Sequence, residues 1–564
     1  MTLSELSRAK APLSVALVCA LAAYAAAALS GLKAHTDPSE MDTVPYLDAA
    51  LEVRKLGGLA GFIPACIEGR YTEGTRHPLY LMALSTVARQ DIRAFVDAKV
   101  LTAWMGAVML LAALWTVSRL FGGGPAVAAG ALLLVNATFI HQSTMVACET
   151  LLTVWVLLWW WAASAAFERP KLWVLAGLFS GLAYLTKSLG LFTVIAVLMT
   201  VAALSVARRR AYWKSRYFAA YFAVFLLVVS PLLARNLKLY GQAFYNDSNS
   251  VLWIDRWHDY YKVGDAAERP TLGTYLRDHT PAEIARTLWD GLTFRNVRMT
   301  VDGLKPLPFW SRFDGRILRG YHEATVPWQG VWALLVLALM GLGVWLTRRR
   351  EATALVIASA VFLVPFVAWF SKIFPGNPPT RILHPLLVLG LGLAAVPLGR
   401  ALAGLGWQRL LRGASVAALV YALAIGFLQD WKGFELKRSY EFSKFFLIQL
   451  RTLERYARPG EVVLAGPTLT SNYFYFEPAI GARVELWPKV SSDEQMRQVV
   501  RDTGATLGVL DLATVVYNMA YYGKYFDAGP SIGLRQRSPL PDYFHKLNEE
   551  PEIPHYECYR FQGA

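Results

Sequence analysis

Blocks of about 20 apolar residues recur along this 564-residue chain, and nothing else in the sequence limits its fold as strongly. A helix rises 1.5 Å per residue, so a block of that length crosses the roughly 30 Å hydrocarbon core of a bilayer. The blocks lie near 12–32, 98–120, 125–143, 146–166, 171–188, 189–206, 217–239, 327–347, 352–371, 382–399 and 412–429. They predict a polytopic α-helical membrane protein of about eleven transmembrane helices. The chain is 55% hydrophobic and only 17% charged, with a mean hydropathy of +0.34. A soluble chain carries about 25% charged residues. The first block lacks a convincing small-residue cleavage site and reads as a retained signal anchor.

The formal net charge is +15. Much of the excess sits in short clusters between apolar blocks, where it sets topology. Arg8 and Lys10, Arg119, Arg169 and Lys171, the run 207–216, the run 347–351, and Arg400, Arg409 and Arg412 all fall on one side if eleven helices cross. That side is expected to be the cytoplasm, which places the N-terminus there. No patch mixes bases and aromatics on a soluble element, so nucleic acid is not an expected partner.

The same count puts 33–97, 240–326 and 430–564 on the outer side. The expected organisation is a transmembrane module over 1–429, with outer loops at 33–97 and 240–326, and a C-terminal extracytoplasmic α/β domain over 430–564. In that domain EVVLAGP and ATLGVLDL read as strands around the helix-like SDEQMRQVVRDTG. Its aromatic stretch NYFYFEP, residues 472–478, reads as core packing in preference to a glycan site. In the first outer loop, HPLYLMALSTVARQ is amphipathic and is expected to lie along the membrane interface.

Several chemistries are missing. There is no D-x-D pair of the kind that clamps a nucleotide-sugar diphosphate through a metal. GLAYLTKS, 181–188, has Thr186 where a P-loop needs its second glycine, and neither G-x-S-x-G nor H-E-x-x-H occurs. The cysteines Cys19, Cys66, Cys148 and Cys558 form no C-x-x-C and have no zinc-finger spacing; a Cys66–Cys148 disulfide is left open.

What remains are a few charged side chains at the outer mouths of the spans. Asp42 follows the first span, in HTDPSEMDTVPYLDAA. Glu149 opens the fourth, Lys187 divides the fifth from the sixth, Arg235 ends the seventh, and Arg381 and His384 open the tenth. Acids and bases drawn from separate helices to one membrane face suit transfer from a lipid phosphate. Cations hold the phosphate and stabilise the charge that grows as it leaves. A carboxylate orients the acceptor hydroxyl and takes its proton. Each residue also has an ordinary reading. Asp42 and Glu149 suit helix starts, Lys187 suits snorkelling to headgroups, Arg235 and Arg381 suit interfacial anchoring, and His384 suits packing.

The order of these parts resembles the GT-C superfamily of membrane glycosyltransferases, and within it the protein O-mannosyltransferase and aminoarabinose transferase-like family (glycosyltransferase family 39-like). Asp42 and Tyr46, in DTVPY, match the family's acid followed four residues later by Tyr, although Thr43 stands where the family often has Glu. HPLY at His77–Tyr80 resembles the family's PPLY segment, ACETLL the acid opening the fourth span, and YLTKSLG a short motif ending in Lys-x-x-Gly. SPLLARNLKLYGQAFYN resembles the end of span seven, and RILHP a late RYLLP element.

The resemblance implies an inverting hexosyl or pentosyl transferase. A monosaccharide would pass from a polyprenyl-phosphate donor to a lipid, glycan or protein hydroxyl outside the cytoplasm. It implies Asp42 and Glu149 as catalytic, and Tyr46, His77, Lys187, Arg235, Arg381 and His384 as substrate-binding. No cofactor is implied, although other superfamily members use a divalent ion. A bacterial inner membrane is the expected location. The alternatives are a lipid or polysaccharide transporter, which needs charges deep in its spans or paired broken helices, and a non-catalytic assembly protein.

Overall fold

The structure, a computed structural model, describes residues 3–34, 37–38, 42–255, 270–306, 327–373, 380–404, 444–511, 514–515, 518–529, 533–547 and 556–563. The expected eleventh span, 412–429, lies outside the described residues. The chain forms two compact units. One comprises Met1–His35, Glu52–Thr86 and Ala98–Ser439; the other comprises Thr36–Leu51, Val87–Asp97 and Tyr440–Ala564.

The first unit is a helical bundle. Among the described residues six helical stretches are long and apolar enough to span a membrane: Arg93–Phe121, Ser188–Ala207, Arg216–Tyr240, Gly330–Thr347, Glu351–Ile373 and Thr380–Leu402. A bent pair, Ala137–Thr144 and Glu149–Ala166, meets at 117° and makes a seventh if counted as one. Shorter apolar helices at Leu17–Lys33, Gly58–Glu68, Gly123–Leu134 and Leu172–Thr186 accompany them. The chain is thus an integral membrane protein built of apolar helices.

The expected continuous span at 125–143 is broken, and Asn136 is the reason. Its side chain accepts from the Phe139 amide at 2.7 Å and so caps a new helix, Ala137–Thr144. Its amide nitrogen donates to the Gly303 carbonyl at 2.9 Å, and the Ala137 amide donates to the Lys305 carbonyl at 3.0 Å. A polar cap inside an apolar run offers the backbone partners that straight continuation does not.

Large aromatics fill the bundle interior, with Trp159, Trp160, Trp173 and Tyr221 fully buried. The indole of Trp160 donates to the Ala352 carbonyl at 2.8 Å, tying two spans together. Helices Leu172–Thr186 and Arg216–Tyr240 meet at Gly177, where a Cβ would stand 2.3 Å from the Tyr221 carbonyl oxygen. Small residues permit this close approach of backbones. The segment expected to lie along the interface forms the short helix Pro78–Ser85 instead, with Tyr80, Leu81 and Leu84 fully buried. The Tyr80 hydroxyl lies 2.9 Å from Thr102 Oγ1, so this face packs on protein and not on lipid.

The second unit is α/β. Strands β1 (Val462–Ala465), β2 (Arg483–Leu486) and β3 (Leu507–Leu510) pair in parallel in the order β2-β1-β3. Two further strands, β4 (Phe526–Gly529) and β5 (Gly533–Gln536), form a separate hairpin. The main sheet is completed by antiparallel β7 (Glu557–Phe561) beside β3 and β6 (Phe544–Lys546) beside β7. The apolar runs VVLA and LGVL become β1 and β3. Helix Asp493–Thr503 between β2 and β3 starts at Ser492, whose hydroxyl accepts from the Gln495 amide at 3.3 Å, and ends at left-handed Gly504. Among the described residues no disulfide joins Cys19, Cys66, Cys148 or Cys558, and the last three are buried.

Candidate functional site

Helix Glu149–Ala166 begins with a carboxylate that has almost no access to solvent; the Glu149 side chain is 1% exposed. Burying a charge this far demands a partner. Lys187 supplies it, with Nζ 2.5 Å from Glu149 Oε1. Arg381 approaches the same oxygen, Nε to Oε1 at 3.8 Å. His384, buried at the start of helix His384–Gly404, lies within electrostatic reach of Glu149, and its Nε2 has no hydrogen-bond partner among the described residues. The starts of two spans and one helix break thus bring Glu149, Lys187, Arg381 and His384 into one polar group.

The break at Lys187 is built by the chain locally. Helix Leu172–Thr186 stops there, Lys187 is extended (φ −159°, ψ 140°), and a short turn, Ser188–Leu191, leads into the next helix. The Gly190 amide donates to the Lys187 carbonyl at 2.8 Å. A Cβ on Gly190 would sit 2.3 Å from the carbonyl carbon and 2.4 Å from the oxygen of Ala183. The Lys-x-x-Gly spacing therefore has a steric cause: only glycine lets the chain fold back onto the end of the preceding helix. Gly190→Ala is expected to cost about 1–3 kcal/mol of stability, as overpacking does, and to displace Lys187. A thermal melt of the purified protein checks this, and an unchanged midpoint would contradict it.

A second polar group adjoins the first. Arg235, buried in the last turns of helix Arg216–Tyr240, donates to the Glu73 carbonyl. Its guanidinium lies over the rings of Tyr71 and Tyr240, 5.1 and 5.6 Å from their centroids, and its Nε has no hydrogen-bond partner among the described residues. His77 packs edge-on against Tyr184, centroids 4.8 Å apart, and its Nε2 is 3.3 Å from Asn246 Nδ2. Tyr184 precedes Lys187 by one helical turn and so joins the two groups.

Burial, opposed by a backbone hydrogen bond with Tyr184 and reinforced by the charges of Arg235 and Lys187, pushes the His77 imidazole down to about 3, so it is neutral at physiological pH. The unfolded chain protonates His77 near 6.5 while the folded chain does not. Its contribution to stability is therefore complete above about 6.5 and is lost as pH falls toward 3, at about 1.4 kcal/mol per pH unit. Melts from pH 7.5 to 5 should show this slope, and His77→Asn should flatten it. Equal slopes in the two proteins would contradict the assignment.

Tyr71, Tyr184, Tyr240 and Asn246 escaped the sequence reading. Tyr184 left a signal only in its place, in the last turn of the helix that stops at Lys187. Asn246 left none. Asp42 and Tyr46 belong to the second unit. Asp42 is half-buried and stands immediately before helix Thr43–Lys55, where its carbonyl accepts from the Tyr46 amide at 2.9 Å; the Tyr46 side chain is buried. Among the described residues no three His, Cys, Asp or Glu side chains are grouped so as to hold a metal ion.

Residues 78–234 match the family model described as Dolichyl-phosphate-mannose-protein mannosyltransferase. That segment contains Glu149 and Lys187 and stops one residue before Arg235. The fold is similar to that of ArnT from Cupriavidus metallidurans, solved bound to undecaprenyl phosphate. The two share 11% sequence identity at a TM-score of 0.51, over 99% of this chain and 98% of that one. The archaeal oligosaccharyltransferase AglB from Archaeoglobus fulgidus, solved with an inhibitory peptide and a dolichol-phosphate, also matches. It does so at 14% identity and a TM-score of 0.49, over 93% of this chain and 75% of that one. No curated protein matches the chain by sequence. The chain thus shares its fold with ArnT, and its segment 78–234 is similar to the mannosyltransferase family.

Proposed function

We propose that this chain transfers a monosaccharide from a polyprenyl-phosphate donor to an acceptor hydroxyl outside the cytoplasm, with inversion at the anomeric carbon. The observation that carries this reading is the buried ionic group of Glu149, Lys187 and Arg381 at a helix break. Three cations, Lys187, Arg381 and Arg235, hold the donor phosphate and stabilise the negative charge it gains as the glycosidic C–O bond breaks. Glu149 fixes Lys187 and Arg381 in place, His77 and His384 supply hydrogen-bonding groups beside them, and Tyr46 is assigned to substrate binding.

Asp42 takes the proton of the acceptor hydroxyl as its oxygen bonds to the anomeric carbon. The polyprenyl phosphate leaves with the electron pair of the broken bond. Every step uses protein side chains alone. That ArnT is held with undecaprenyl phosphate supports a prenyl-phosphate donor here. The positions of the basic clusters support a cytoplasmic N-terminus, an outer face carrying the site, and a bacterial inner membrane as its setting.

The test is a purified, lipid-reconstituted chain given a panel of synthetic undecaprenyl-phosphate monosaccharides and an extract of envelope lipids, glycans and proteins. A new glycosidic bond, with free undecaprenyl phosphate as co-product, supports the transferase. Movement of the lipid across the bilayer with its sugar bond intact would establish the transporter instead.

A further inference from the structure

In an open α/β sheet the carboxyl ends of the parallel strands, where the strand order reverses, form the usual ligand crevice. In the second unit that place lies between β1 and β3, because β2 and β3 flank β1 on opposite sides. The connection leaving β1 runs through Gly466 to the helix Tyr473–Ile480, whose first turn therefore stands at the carboxyl end of the sheet. That turn carries two tyrosines. Tyr473 donates its hydroxyl to Asp48 Oδ2, across 425 positions of sequence. Tyr475 is buried, its hydroxyl has no hydrogen-bond partner among the described residues, and it lies in the field of Asp37 and Asp91. All these acids come from the first outer loop, in the segments Thr36–Leu51 and Val87–Asp97 that belong to this unit. The chain's own loop meets the aromatic turn at the end of the sheet where a separate ligand would bind.

Asp48 is in the second turn of helix Thr43–Lys55, and Asp42 stands just before its first residue. The step of six positions from one to the other spans about 9 Å along the helix axis at 1.5 Å per residue. A bond that holds Asp48 therefore holds the start of the helix and the carboxylate there. We propose that the C-terminal domain is a positioning device for Asp42, and that Tyr473, acting through Asp48, is the residue that sets it. The proposal rests on Asp42 being the base of the transfer. It explains a domain that would otherwise have no part in the chemistry. Displacing a positioned group by 1 Å costs up to about 100-fold in rate, so a single hydrogen bond has leverage here.

The experiment uses the full chain in lipid discs as Tyr473→Phe, Asp48→Ala and the double variant. It measures turnover and donor KM on the undecaprenyl-phosphate sugar panel with the envelope extract, and backbone hydrogen exchange over residues 43–51. Each single change is expected to lower kcat about tenfold, to leave donor KM within about twofold, and to speed exchange over 43–51. The double variant should be no slower than either single, since both remove one bond. Unchanged exchange in Tyr473→Phe, or multiplied losses in the double variant, would overturn the proposal. Asp42→Asn is run in parallel. Full activity there ends the base assignment and with it the positioning role, whereas the exchange result alone decides whether Tyr473 holds the helix.

Discussion

Asp42→Asn is expected to lower kcat by about 10²–10⁴-fold, the range for removing a positioned general base. Asparagine keeps the size of the side chain and its ability to cap helix Thr43–Lys55, so helix content and expression should not change. Asn has no basic carboxylate, so the acceptor proton has nowhere to go as the new bond forms. Donor KM should stay close to wild type, because the proposed phosphate site, Lys187, Arg235 and Arg381, is left unchanged. The check is steady-state kinetics with circular dichroism on the same preparation. Wild-type turnover in Asp42→Asn would remove this residue from the mechanism. Asp37 and Asp48 would then be the next acids to substitute in that loop.

The second large effect concerns Glu149. Exchange to Gln keeps its shape but leaves Lys187 Nζ, now 2.5 Å from the carboxylate, without its counter-charge, and weakens the hold on Arg381. Breaking a buried ion pair by removing one partner costs about 3–5 kcal/mol. The Lys187 side chain is 26% exposed, so part of its charge is screened by solvent. About 2–4 kcal/mol is expected on that basis, seen as a drop in melting temperature. Transfer should fall as well, since the two cations lose their common anchor. A stable Glu149→Gln protein with normal turnover would show that the pair neither supports the fold nor orders the site.

Much of this was readable in advance where a single residue dictates its own surroundings. Lys187 interrupts an apolar run, and Gly190 three residues later has room for no side chain, so the break could be read from YLTKSLG alone. Ser492 and Gly504 bracket a helix for local reasons too. Pairings between distant residues were not readable. Nothing in ACETLL says that Glu149 meets a lysine 38 residues on, and nothing in YNDS says that Asn246 reaches His77. Asn136 misled because one capping residue is a weak signal inside a strongly apolar block, and the tertiary partners that make it a break, Gly303 and Lys305, lie far along the chain. The segment at 77–90 misled for a related reason. Its amphipathic pattern is satisfied by a protein neighbour as well as by lipid, and Tyr80 found Thr102. In the sheet, β1 and β3 announced themselves as apolar runs, whereas β6 and β7 are short, mixed in polarity and defined by their partners.

The central claim is that Lys187 and Arg381, beside Glu149, together with Arg235 hold a lipid phosphate. The most direct measurement is equilibrium binding of undecaprenyl phosphate to the purified chain and to Lys187→Ala and Arg235→Ala, by native mass spectrometry or scintillation proximity. One saturable site in the wild-type protein, weakened at least about tenfold in each variant as expected for loss of a charge-assisted contact, is the predicted result. Equal affinity in all three proteins would contradict it.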